Sequence, residues 1–365
     1  MKHKIIAASI CVLAPTLFAV GQTTQRLTAD KSNEYALIYS LPKTVFDVTI
    51  ETEHVIKSPG EFKNYANRHL GITNAIKHTE SSVVVKSITI VPRGIPNSAE
   101  RYAAQFKGGS GASMLLTDTE IPLAINLDEV TMPQSVALPK AVPAAPSILE
   151  TDAAKHAVTL DITRASSQSK KAELTAQRIF ELREQRNDLI SGNVENMPPD
   201  GGAIKVALEN LNAQEAVLTA MFEGTTTTFT DVKTVTFIPG ESDSIGVIVA
   251  RVSPLEGIVE VDDLSGIPLT LNYEVVERGK LPINEKGLEK TFPKGGIAYT
   301  IPGSASISLR FNGKKLASEI YDVAQLGVVF GLDPSWFTKK KAPGYVKLSP
   351  ITGAVVELST GEQQN

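Results

Sequence analysis

Metal, acid–base and nucleophilic chemistry draw on a short list of side chains at set spacings, and this chain offers few of them. Its histidines are His3, His54, His69, His78 and His156. None forms the His-Glu-x-x-His pair that sets two imidazoles on one helix face around zinc, and no two stand at another ligand spacing. His69 falls on the apolar side of a short helical pattern and reads as a packed ring. His54 and His78 sit among polar neighbours and read as solvated. The single cysteine, Cys11, lies inside the apolar run Ile5 to Val20. No Gly-x-Ser-x-Gly elbow marks a serine nucleophile.

The remaining chemistry-bearing stretches each have a plain reading. Gly108-Gly109-Ser110-Gly111 lacks the Gly-Lys-Ser/Thr ending that cradles phosphate at a helix start, so it reads as a hairpin loop. Glu260, Asp262 and Asp263 are acidic, but calcium needs six or more oxygens from regularly spaced positions, which this loop does not supply. The stretch Asn193 to Asp200 carries oxygens without that spacing and reads as a connector. Trp336-Phe337 with Lys339-Lys340-Lys341 is the one aromatic-plus-basic patch, and it reads as buried rings below a solvated run. The sequence therefore points to no catalytic residue, no cofactor and no metal site.

The elements that would position such residues follow from periodicity. Residues 1–21 combine a basic start (Lys2, Lys4), an apolar run broken by Pro15, and a small-residue end at Ala19-Val20-Gly21. That is the pattern of a cleaved secretory signal peptide. Cys11 lies in mid-run after Ile10, which is unlike a lipid-attachment cysteine, and its removal would leave a thiol-free chain stabilised by its core. Residues 22–34 are polar and read as a flexible lead-in. A β-rich part with one short helix spans 35–131, with strands over Tyr35 to Leu41, Lys43 to Val55, Val83 to Val91, Arg101 to Lys107, Met114 to Thr117 and Ile121 to Leu127. Pro42 reads as a break. Ser58-Pro59-Gly60-Glu61 reads as a capped helix start, and Gly71 as its end.

Residues 132–165, with four prolines between Met132 and Ile148, read as a Pro/Ala-rich crossover. Residues 166–223 carry two amphipathic patterns, Ser166 to Ser191 and Ala203 to Phe222, which predict an antiparallel helical hairpin. Arg186 interrupts the apolar seam of the first. Residues 224–365 read as a second β-rich part. Its strands cover Thr225 to Ile238, Ile245 to Arg251, Leu269 to Val276, Ile297 to Ile301, Ser306 to Phe311, Ala317 to Val323 and Leu326 to Phe330. A final hairpin joins Tyr345–Leu348 to Val355–Leu358. Asn312-Gly313 is its strongest turn signal. The fold class is α+β: β-rich N-terminal and C-terminal parts with a long helical hairpin between them.

Composition narrows the function. At 42% hydrophobic and 21% charged the chain has the make-up of a packed globular protein. A formal net charge of −4 gives no electrostatic footprint for nucleic acid. Beyond residue 21 no apolar run is long enough for a membrane-spanning helix. With 6% aromatic residues and one tryptophan, the rings that usually stack on sugars are scarce.

Several phrases together resemble a known family. They are Tyr39-Ser40-Leu41-Pro42-Lys43-Thr44, Pro59-Gly60-Glu61-Phe62 with Tyr65-Ala66 and Leu70-Gly71, Glu195 to Gly201, Asp263-Leu264-Ser265-Gly266, and Tyr299 to Gly303. In this order they are similar to an envelope-protein family of Bacteroidota, the domain-of-unknown-function family numbered 4831. The resemblance covers nearly all of the chain after residue 34 and transfers no activity. It implies a secreted or periplasmic protein. It also implies that the triplet Asp243-Ser244-Ile245 matches the O-glycosylation pattern of that lineage, with Ser244 as acceptor. The sequence thus reads as an exported, non-enzymatic binding or scaffolding protein whose partner is another envelope protein or a surface glycan. The rival reading is a periplasmic hydrolase of glycan or peptide with a site built from dispersed residues. A hydrolase requires a pocket where carboxylates, His or Ser converge, a scaffold an apolar patch or free strand edge, and a glycan binder exposed tyrosines or an exposed Trp336.

Overall fold

The computed structural model describes residues 23–26, 37–105, 112–131, 136–194, 200–339 and 342–360. The expected signal segment with Cys11, the Gly108 to Gly111 loop, and Lys340 and Lys341 lie outside the described residues. The protein is β-rich, with one short helix between its second and third strands and its two long helices between the fifth and sixth.

The first sheet is built on two long strands, β2 (Leu37–Ser58) and β3 (Glu80–Gln105). They are flanked by β1 (Thr23–Arg26) on β3 and by β6 (Thr225–Phe237) on β2, all antiparallel. Thr23–Arg26 is therefore strand within the stretch expected to be a flexible lead-in. The expected break at Pro42 does not occur either. Pro42 lies opposite Pro96 at a register shift, where residues 97–100 of β3 face Leu41 alone. Prolines lack the ladder N–H, and an irregularity of this kind needs none there, so one strand runs through. Across the shift the core-cluster positions of β2 change from odd (Tyr39, Leu41) to even (Phe46, Val48, Ile50).

The second sheet has the order β11-β10-β9-β7-β8, again antiparallel. Its strands are β7 (Ser244–Ser253), β8 (Gly257–Val259), β9 (Ile267–Glu277), β10 (Ile297–Phe311) and β11 (Lys314–Leu332). Asn312-Gly313 makes the two-residue turn between β10 and β11, with φ of 47° and 76°. β10 and β11 are single strands where the sequence suggests two each. A register shift between Ile301 and Gly303 bends the pair without ending it. This sheet packs on the first through Phe46, Val48 and Ile50 against Leu269, Leu271, Tyr273, Ala305, Ile307 and Leu309.

The third sheet, β13-β12-β5-β4, joins β4 (Met114–Leu116) and β5 (Pro122–Ile125) to β12 (Tyr345–Leu348) and β13 (Val355–Ser359). It closes a second core with Tyr39, Tyr102, Ile125, Ile297, Phe337 and Val346. Two of the three sheets thus take strands from both sides of the helical segment. Residues 35–131 and 224–365 do not form separate sheets, because β2 pairs with β6 and β5 with β12.

The helices are α1 (Ala66–Leu70), α2 (Asp152–Ala157), α3 (Leu160–Arg164), α4 (Gln168–Ser191) and α5 (Gly201–Glu223). A 3₁₀ turn, Ile148–Glu150, precedes α2. α1 is shorter than expected. Ser58 stays in β2, and the Phe62 N–H donates to the Met221 carbonyl at 2.7 Å, so a tertiary bond replaces the first helical turn. Ser167 and Asp200 cap α4 and α5 by accepting from the N–H groups of Lys170 and Ala203. α4 and α5 run antiparallel. Arg183 and Arg186 of α4 both donate to the Glu215 carboxylate of α5, at 2.6 and 2.5 Å, which explains a charge in the seam. α2 and α3 occupy the segment expected to be an irregular crossover.

Candidate functional site

The histidines do not converge. His54, expected in solvent, is only 7% exposed. It points inward because it shares the even-numbered face of β2 with Val48 and Ile50, and its ring stacks on Phe229 at 4.4 Å. Gly257 closes over it with φ +86°, and a Cβ there would lie 2.5 Å from the ring. Its Nε2 and the Thr52 hydroxyl on the same face have no hydrogen-bond partner in the structure. His69 is half-buried beside Tyr65, while His78 and His156 are exposed. Among the described residues no group of three or more His, Cys, Asp or Glu is placed to hold a metal ion.

Two of the three acids of the acidic loop are taken up by the protein itself. Glu260 pairs with Lys233 at 2.7 Å. The Asp263 carboxylate accepts the Ser265 N–H at 2.8 Å, which holds its pKa below the usual range. Burial raises the pKa of Tyr39, Tyr299 and Tyr321 and pushes Tyr273 up to about 12, so none of these four hydroxyls is a base near neutrality. Phe337 is core and Trp336 half-buried against it. No tyrosine or tryptophan among the described residues is exposed as a sugar platform would require. Ser244 starts β7 half-buried, between exposed Asp243 and Ile245, and the Asp243 carboxylate accepts the Val275 N–H.

Two concave sites stand out among the described residues. One, of about 340 Å³, lies where β9 ends beside the β10 bend. Glu277, Lys280, Ser304 and Asp322 line it, and Lys280 already holds Glu277 at 2.9 Å. Gly279 and Gly303 let the backbones meet there: a Cβ on either would fall within 2.5 Å of a carbonyl oxygen.

The larger groove, about 580 Å³, lies among the helices. Val217 and Met221 of α5 face Ala154 and Val158 across it, with Leu149 at the margin. Glu61 and Glu150 stand at the rim, both exposed and without an ion pair among the described residues. Lys155 also lines it, but its ammonium is held by Asp152 at 2.7 Å. The rim is fixed through backbone. Gly60 packs so closely on the end of α5 that a Cβ would sit 2.3 Å from the Met221 carbonyl oxygen. Gln168 donates to the Glu61 carbonyl at 3.2 Å. On the other wall the Ser147 side chain accepts from the Leu149 N–H, and the Thr151 hydroxyl donates to the Ile148 carbonyl. Its size suits a small ligand or a few side chains, and its lining is greasy with a carboxylate edge. Residues 61, 149–158 and 217–221 share no spacing in the sequence, and Ser58-Pro59-Gly60-Glu61 reads there only as a helix start, so no sequence signal marks the groove.

The family model described as Domain of unknown function (DUF4831) matches residues 35–356. No curated protein and no solved structure matches the chain.

Proposed function

The chain belongs to the DUF4831 family, and we propose that it is an exported cell-envelope protein that binds a partner rather than transforming a substrate. The observation that carries this reading is the larger groove. Its floor is apolar, its two rim carboxylates are exposed, and its lining holds neither histidine nor serine. General acid–base catalysis needs its acid and base held together at the reacting proton, which two exposed rim carboxylates do not provide; a groove with an apolar floor instead gains free energy by covering apolar surface. The N-terminal pattern of residues 1–21 supports export, and the family resemblance supports a Bacteroidota envelope. In this reading α4 and α5 form one helical hairpin whose second helix lines the groove, and the partner is another envelope protein.

The reading is tested by placing a photo-crosslinking residue at Leu149 in the native cell and fractionating the envelope. One stoichiometric crosslinked protein in the envelope fraction is expected. Cytoplasmic recovery, or hydrolysis of envelope glycan or peptide by the purified protein, would overturn it. O-glycosylation of Ser244 belongs to the same proposal, and intact-mass analysis of the wild type against Ser244→Ala tests it.

A further inference from the structure

Resting on the reading of the larger groove as a binding site, we infer that its occupant is a protein segment carrying a large apolar side chain next to lysine or arginine. The apolar half of this match comes from Val217, Met221, Ala154 and Val158, with the flexible Met221 able to adapt to branched or aromatic shapes. The cationic half comes from charge left over at the rim. Nearby charges on the same helical layer neutralise each other: Lys155 with Asp152, Lys170 with Glu173. Glu61 and Glu150 have no such partner among the described residues, and both are held at the groove by backbone bonds of their own segments.

The test uses the purified protein and three fluorescent hexapeptides that differ only in charge: Gly-Leu-Lys-Leu-Lys-Gly, its Gln counterpart and its Glu counterpart. Fluorescence polarisation at low and moderate salt measures each. The Lys peptide is expected to bind best. The double variant Glu61→Gln/Glu150→Gln should weaken it by about three- to tenfold, as two exposed ion pairs allow, and added salt should narrow the gap. Met221→Gln should weaken all three peptides. Equal binding of the three, still sensitive to Met221→Gln, would overturn the cationic occupant while leaving the groove as a binding site. Binding of none, or binding untouched by Met221→Gln, would overturn both. The substituted side chains are exposed or half-buried, and circular dichroism of each variant confirms that the fold is kept.

Discussion

Gly257→Ala isolates one contact on which the packing of the two large sheets depends. Gly257 adopts φ +86°, where an L-residue is strained by about 1–2 kcal/mol. Its added methyl would also lie 2.5 Å from Cε1 and 2.6 Å from Nε2 of His54. That ring cannot step aside, because Phe229 stacks on it at 4.4 Å and it is almost fully buried. Overpacking of this kind adds about 1–3 kcal/mol, so the substitution should destabilise by roughly 2–5 kcal/mol. Urea unfolding followed by far-ultraviolet circular dichroism should show the midpoint falling by about 1 M, taking a slope near 3 kcal/mol/M. A double-mutant cycle with His54→Ala separates the two causes. Removing the ring relieves the collision but not the backbone strain, so the combined loss should be about 1–3 kcal/mol smaller than the sum of the single losses. A Gly257→Ala protein within about 0.5 kcal/mol of wild type, or a loss of equal size with and without the His54 ring, would refute this account of the packing.

Three further perturbations test other parts of the structure. Tyr39→Phe removes a hydroxyl that accepts from the Ala298 N–H at 2.9 Å and donates to its carbonyl at 3.3 Å. An orphaned buried N–H should destabilise by about 1–3 kcal/mol in denaturant unfolding. Glu215→Gln leaves Arg183 and Arg186 without their shared carboxylate. The expected loss is about 1 kcal/mol, since both guanidinium groups stay partly in water, read as faster amide exchange along α4 and α5. Asp47 accepts from Arg93 at 2.8 Å and from Thr236 at 2.6 Å, and the Arg93 bond chiefly holds its carboxyl below the ordinary range. A depressed folded-state pKa contributes stability above the unfolded value and loses it as pH falls through the folded one. The advantage of wild type over Asp47→Asn should therefore be full at pH 7 and shrink below about pH 4; a constant difference down to pH 2 would contradict it.

Local signals carried much of this architecture. Asn312-Gly313 placed its hairpin, Gly71, Gly192 and Gly224 end their helices with positive φ, and apolar periodicity located α4 and α5. Each of these is decided within a few residues, where backbone freedom and helical spacing act directly. The break expected at Pro42 does not occur, because Pro42 and Pro96 meet at a register shift that needs no ladder N–H from either, and β3 runs on without a break from Val91 to Arg101. His54 looked solvated beside Glu51 and Glu53, yet alternation along β2 turned it inward once Phe229 and Gly257 covered that face. Residue order was enough to give the family, the β-rich character with two long helices, and the scarcity of residues for chemistry. Folding in three dimensions is what pairs β2 with β6 across the helical insertion and brings residues 61, 149–158 and 217–221 into one groove. Pairing and grooves depend on contacts between residues far apart in the chain, and no spacing along one strand or helix encodes them.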